Sequence, residues 1–222
     1  MWFQYEDRAH AGRVLAGELR AVGGRPDARV LALPRGGVPV GFEVASELGL
    51  PLDLLVVRKL GVPGEEELAM GAVASGGVRV LNEEILRGLD ISAAAVEVAT
   101  ERELRELERR ERAWRGDRPP LDLSGRVALL VDDGLATGST MRAAVAAVRA
   151  RSPARIVVAV PVASSQTAAD VAREVDKLVC PLMPPSFFAV GTWYRDFGPT
   201  GDDEVRELLL RARAAEEKGL RE

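Results

Sequence analysis

Val127-Ala128-Leu129-Leu130-Val131-Asp132-Asp133-Gly134-Leu135-Ala136-Thr137-Gly138-Ser139-Thr140 is the stretch on which the reading of this chain turns. Its five leading apolar residues predict a central parallel strand buried on both faces, since a strand with one wet face alternates instead. Two carboxylates follow at once, at the C-terminal edge where open α/β sheets bind their ligands. A short loop of small and hydroxyl residues then opens toward a helix. Such a loop can aim several backbone N–H groups, with the hydroxyls of Thr137, Ser139 and Thr140, at one anion. Gly138 lets the backbone come close. Carboxylates beside such a cradle would repel a bare polyphosphate. They suit a sugar phosphate, with acceptor oxygens for its hydroxyls and N–H donors for its phosphate. No Gly-Lys-[Ser/Thr] follows, so the loop is not a Walker A motif. An ordinary strand-to-helix turn would explain the two acids but not the loop after them.

Working outward, apolar β-type runs alternate with helix-like segments, the pattern of an α/β fold with a central, mainly parallel sheet flanked by helices. Strands are expected at Arg29–Leu33, Leu52–Arg58, Val127–Val131, Arg155–Val160 and, more weakly, Lys177–Cys180. Gly71–Ala74 and Val78–Leu81 flank Ser75-Gly76-Gly77 as a hairpin. Helices are expected around Val38, Phe42, Ala45 and Leu48, over Ala143–Arg149, over Ala168–Glu174, and over Asp203–Arg213 with acids in the first turn and bases later. Ser92–Trp114 is a different object. It is long and highly charged, with a thin apolar stripe of Val96, Leu104, Leu107 and Trp114 and many i,i+4 ion-pair spacings. It reads as a solvated surface helix, or as an insertion that caps a site or packs on a partner subunit.

Composition bounds the chemistry. The 222 residues are 47% hydrophobic and 29% charged, which fits a globular chain and excludes a disordered one. No apolar run reaches the about 18 residues of a membrane-spanning helix. The segment Met1–Asp7 has neither the basic nor the apolar region of a signal peptide, so a cytoplasmic location is expected. One cysteine, Cys180, excludes an internal disulfide framework, and one histidine, His10, excludes a His-rich metal site. His10 reads as an N-terminal structural or surface residue. The net charge of −4 gives no general attraction to nucleic acid or an anionic membrane. What remains is chemistry by carboxylates, hydroxyls, backbone amides and cations.

The segment 127–140 resembles the phosphoribosyl-pyrophosphate (PRPP) signature of the type I phosphoribosyltransferases, closest to the Asp-Asp-x-x-Ala-Thr-Gly-x-Thr form of adenine-type enzymes. Pro34-Arg35-Gly36-Gly37 resembles the family's pyrophosphate loop, and Arg58-Lys59 its cationic pair after the second core strand. The resemblance covers roughly residues 25–200. It implies a single domain over residues 1–222, with a helical insertion at about 82–120 and a small C-terminal hood at about 181–203. By the same resemblance, Asp132 and Asp133 would hold the ribose hydroxyls. Residues Ala136, Thr137, Gly138, Ser139 and Thr140 would hold the 5′-phosphate. Arg35 and the amides of Gly36 and Gly37 would receive pyrophosphate, with Arg58 and Lys59 nearby. The catalytic set would be Asp132, Asp133, Arg35 and Lys59. Arg58 has a second reading, as a strand-end cation paired with a core carboxylate. The family often builds its pyrophosphate loop on a non-proline cis peptide, so an unusual backbone is expected at Pro34–Arg35. Mg²⁺ would arrive bound mainly through PRPP, with no dedicated protein site.

The resemblance implies transfer of a 5-phosphoribosyl group to a nitrogen of a nucleobase-like or other small acceptor. In 6-oxopurine enzymes a carboxylate stands where this chain has Ala136, which argues against a hypoxanthine or guanine acceptor. Five of the ten aromatics fall within Phe187–Phe197. Trp193 and Tyr194 are therefore expected to stack on a flat heteroaromatic acceptor. The competing reading is that these rings only pack the C-terminal region. Two other functions compete with the enzyme. One is a PRPP- or nucleotide-binding regulatory protein without turnover. The other is an interaction protein working through its charged helix. A homodimer is open to all three.

Overall fold

The computed structural model describes residues 4–20 and 25–219. Its main sheet has the strand order β2-β1-β6-β7-β8 and is parallel throughout. The strands are β1 (Ala28–Ala32), β2 (Leu52–Leu54), β6 (Val127–Val131), β7 (Arg155–Ala159) and β8 (Lys177–Val179). All five residues of β6 are buried. The strand is central, pairing with β1 on one side and β7 on the other. Its side chains alternate between two cores, as the two-residue period of a strand requires. Val127, Leu129 and Val131 face one cluster, and Ala128 and Leu130 the other.

The first cluster is covered by α1 (Arg8–Glu18), α2 (Gly37–Leu48) and α7 (Asp202–Gly219), the second by α5 (Ser139–Arg149) and α6 (Ser165–Ala172). Helix α1 had no counterpart among the sequence expectations. Asp7 caps it by accepting from the His10 amide at 2.7 Å, and Ala11, Leu15 and Ala16 supply its buried stripe. His10 itself is structural, as expected: its Nδ1 accepts from the Glu6 amide at 3.1 Å.

The expected strand Leu52–Arg58 is two strands. After β2 the chain leaves the parallel sheet, and β3 (Val57–Val62) joins β4 (Glu65–Ala74) and β5 (Val78–Leu81) in an antiparallel sheet of order β3-β4-β5. The crossing is satisfied at both ends. The Leu55 amide donates to the Ala32 carbonyl, while the Val56 amide donates to Ser75 Oγ at 2.8 Å. A continuous apolar run hides such a change of sheet, because Leu55 and Val56 are buried wherever they pair. The hairpin is present, with Gly76 and Gly77 at positive φ in its turn.

Helices α3 (Glu83–Gly88) and α4 (Ala93–Arg115) follow. The stripe of α4 packs inward through Val96, Leu107 and Trp114, with Leu104 partly buried. Its far end is anchored by Arg115, whose side chain is only 3% exposed. That guanidinium donates to Asp53 Oδ1 at 2.9 Å and to the Leu54 carbonyl at 2.7 Å. A buried charge is tolerated there because it is paired and hydrogen-bonded.

Candidate phosphoribosyl site

Four chain segments meet where β6 ends. Asp132 and Asp133 follow Val131 directly, and both are half-buried. Asp132 Oδ1 accepts from the Asp133 amide at 2.8 Å, which fixes its rotamer. Asp133 Oδ2 accepts from Arg8 Nε at 2.9 Å. Among the described residues, no other side chain donates to Asp132 Oδ2 or Asp133 Oδ1. Burial lifts Asp132 well above the usual carboxylate range, and the Asp133 charge adds to the lift. Burial raises Asp133 too, with Arg8 working against it.

The loop after them is held from behind. Leu135 donates its amide to the Val162 carbonyl at 2.9 Å, and Thr167 Oγ1 on α6 donates to the Ala136 carbonyl at 2.7 Å. Gly138 sits at φ +73°, and a Cβ there would come within 2.8 Å of Thr167 Cγ2. Glycine is thus required twice, for its conformation and for the closeness of α6. Thr137 Oγ1 and Ser139 Oγ lie 3.2 Å apart, and Ala136, Thr137, Ser139 and Thr140 are exposed around the first turn of α5. The bonds at Leu135 and Ala136 brace the loop from behind, and within it the Ser139 amide donates to Thr137 Oγ1 at 3.5 Å.

The loop Pro34–Gly37 ends β1 alongside. Its Pro34–Arg35 peptide is cis, matching the unusual backbone expected there. A Cβ on Gly36 would stand 2.0 Å from Asp133 Oδ2. One on Gly37 would stand 2.8 Å from the Val131 carbonyl oxygen and 2.9 Å from Asp132 Cα. The two glycines therefore lie directly on the carboxylate pair. Arg35 is exposed, and its Nη1 is 3.6 Å from Asp202 Oδ1.

The cations of β3 approach from the other side. Lys59 is exposed, with its Nζ 3.5 Å from Ser139 Oγ. Arg58 takes the second role left open for it. Its Nε and Nη2 are 2.8 and 2.6 Å from Glu103 Oε2, a carboxylate buried on α4. Both cations line a cleft of about 330 Å³ with Thr140, Arg102, Glu66 and Glu103. The long charged helix thus reaches the site through Glu103. The notion of a simple solvated helix missed this, and the only sequence signal is a Glu on the apolar stripe between Thr100 and Leu107.

Trp193 and Tyr194 are a correction. They are 6% and 4% exposed, so neither offers a free face for stacking on an acceptor. Tyr194 lies between Tyr5 and Phe197, at centroid distances of 5.5 and 5.0 Å. Its hydroxyl donates to the Asp133 carbonyl at 2.6 Å. Burial and the nearby Asp133 charge push that phenol above its ordinary range, which keeps it a donor. These rings pack the C-terminal segment against residues Tyr5–Arg8 instead. Arg8, which the sequence did not single out, is the residue that this packing delivers to Asp133.

Three likenesses bear on this arrangement. In two strains of Mycobacterium tuberculosis, provisionally named phosphoribosyl transferases are 49% identical over 208 residues. That span is 94% of this chain and 47% of theirs, so the chain spans about half the length of these curated relatives. The crystal structure of TT1426 from Thermus thermophilus matches with a TM-score of 0.85 and 42% identity, over 95% of this chain and 99% of that one. The phosphoribosyl transferase domain model matches residues 1–192, and with the parallel sheet and the loops at its edge this makes the chain a member of the type I phosphoribosyltransferase family.

Proposed function

We propose that this protein transfers the 5-phosphoribosyl group of PRPP to a nitrogen of a small acceptor and releases pyrophosphate. The observation that carries the reading is that Gly36 and Gly37 lie directly on Asp132 and Asp133 at the sheet edge where the 136–140 loop begins. In this reading Asp132 Oδ2 and Asp133 Oδ1 accept the two ribose hydroxyls, because they are the carboxylate oxygens left uncommitted. The amides at the head of α5, with Thr137, Ser139 and Thr140, hold the 5′-phosphate. Arg35 and the amides of Gly36 and Gly37 receive pyrophosphate, and Lys59 supplies a mobile positive charge beside the loop. Arg58, tied to Glu103, contributes field more than contact. The C1–O bond to pyrophosphate breaks with its electron pair on the leaving oxygen. The C1–N bond forms, and the nitrogen gives up a proton. Fixed cations and amides lower the barrier by stabilising the departing anion. Residues 181–203 serve as the hood and 82–120 as the helical insertion of one domain spanning 1–222.

The family's Mg²⁺ fits this donor set as an ion carried by its substrate. Among the described residues no group of three or more His, Cys, Asp or Glu could form a cage. Magnesium on pyrophosphate and ribose oxygens needs none, since it keeps its waters and sits on phosphates. When bound, it would neutralise charge on the leaving group. Among the described residues no helix is long and apolar enough to cross a membrane.

The test is pyrophosphate release from PRPP with a panel of nitrogen acceptors, alongside calorimetric PRPP binding. Release by wild type, lost in Asp132→Asn/Asp133→Asn, is expected. PRPP binding with no release across the panel would favour a regulatory PRPP-binding protein. No PRPP binding would overturn both.

A further inference from the structure

Arg8 occupies a position that packing alone does not demand. Its guanidinium, on a side chain 13% exposed, contacts two separate parts of the molecule, Asp133 and the turn at Phe197–Gly198. Nε donates to Asp133 Oδ2 at 2.9 Å, and Nη1 donates to the Gly198 carbonyl at 2.7 Å. The Cζ atom lies 3.9 Å from the Phe197 ring centroid. A Cβ on Gly36 would stand 3.3 Å from its Nε, so the pyrophosphate loop lies against the ion pair itself. Arg8 is presented at the first position of α1 and held there from both sides. The Tyr5 amide donates to the Trp193 carbonyl, and the amides of Arg195 and Asp196 donate to the carbonyls of Tyr5 and Glu6.

We propose that Arg8 is a positioning residue for the phosphoribosyl reaction, acting through Asp133. Held at Oδ2 by a planar donor that is itself stacked on Phe197, the Asp133 carboxylate cannot rotate, and Oδ1 is the oxygen turned to substrate. The same guanidinium ties the turn at 196–198 to the signature, so the wall on the C-terminal side and the sugar-binding acids move as one body. Arginine is needed rather than lysine. Only a flat fork can give one hydrogen bond to the acid, another to a carbonyl, and a face to the ring.

This inference rests on the PRPP reading, and its test separates the two. PRPP and inorganic pyrophosphate are titrated calorimetrically into wild type, Arg8→Lys, Arg8→Met, Asp133→Asn and Arg8→Met/Asp133→Asn. Wild type failing to bind PRPP would overturn the PRPP reading itself. Given wild-type binding, Arg8→Met is expected to weaken PRPP by about tenfold or more, with pyrophosphate alone nearly unchanged. Arg8→Lys should recover only part of the loss. The double variant should bind PRPP no more weakly than Asp133→Asn, because a residue acting through Asp133 has nothing left to position. Arg8→Met binding PRPP as wild type does would overturn the inference. So would fully additive losses in the double variant. If Arg8→Met does not fold, Arg8→Lys decides the matter: wild-type affinity in that variant refutes the need for a planar fork.

Discussion

The two halves of the site are built on different foundations. Asp132, Asp133 and the 136–140 loop stand at the end of β6, a strand with no exposed residue and a parallel neighbour on each side. Arg58 and Lys59 stand on β3, which is buried only at Leu60 and Val62 and is broken by register shifts around Leu60–Val62. The 136–140 loop and the two acids inherit their precision from the core. Of the cations, Arg58 depends on Glu103 for its placement, and Lys59 reaches Ser139 Oγ. In the proposed reaction, groups that must meet a fixed sugar ring gain from rigidity, whereas a lysine that follows a departing anion gains from reach.

The contrast can be tested by breaking each half. The largest effect is expected from the paired glycines. Gly37→Ala drives a Cβ against main-chain atoms of Val131 and Asp132, which cannot swing aside. It should cost about 2–4 kcal/mol in a denaturant titration. Gly36→Ala meets side-chain ends, the Asp133 carboxylate and then Arg8 Nε, rather than backbone, so it should fold yet lose PRPP affinity as Asp133 is pushed off Arg8. Equal stability losses in the two variants would show that the loop does not rest on the β6 end as described.

Next comes the softer half. Glu103→Gln removes the charge that Arg58 faces in a largely buried setting. A loss of about 1–2 kcal/mol is expected, discounted for the part of Arg58 that reaches solvent. Weakened pyrophosphate binding should accompany it, with the 5′-phosphate loop intact. Wild-type affinity for pyrophosphate would separate α4 from the site.

Asp132→Asn should have a smaller effect, of opposite sign, on the ligand-free protein. Burial and Asp133 raise the Asp132 pKa in the folded state. A raised carboxyl binds its proton more tightly when folded, so its contribution to stability is full at low pH and is lost as pH climbs through the raised value. Asparagine keeps the acceptor for the Asp133 amide and discards the charge. The variant should therefore melt roughly 2–4 °C higher at neutral pH, and the gap should close on acidification. A variant that melts lower at neutral pH would contradict the stored repulsion. The smallest effect belongs to the outer face of α4. There Arg109 and Arg110 hold Glu106 down at about 2, at a half-buried surface position. Glu106→Gln should move the melting temperature by no more than about 1 °C.

How much of this was legible depended on where the physics is local. The run Val127–Val131 with its acids and loop is a local signal, and the structure places it at the middle of the sheet as its apolar pattern requires. The split at Leu55–Val56 was not legible, because both partners of a crossing strand are apolar. Nor was the burial of Trp193 and Tyr194. An aromatic cluster looks the same in sequence whether it lines a cleft or fills a core, and the cluster that buries these rings brings in Tyr5, Ala11 and Val162, all distant in sequence. Arg8 was hidden for the same reason: nothing around it in sequence records that Asp133 is its partner.

The pairing of residues Gln4–Glu6 with Thr192–Asp196 also bears on how the molecule reaches its working form. Gln4 Nε2 and the Thr192 carbonyl are 188 positions apart, and Arg8 and Asp133 are 125 apart. Closing loops of that length costs chain entropy before any contact rewards it, so such contacts form late. The strand pair β6–β7 and the hairpin β4–β5 are far more local and can assemble without them. In a refolding experiment the sheet's circular dichroism should therefore return before affinity for PRPP does. The lag between the two signals is the time the N-terminal segment takes to find its place.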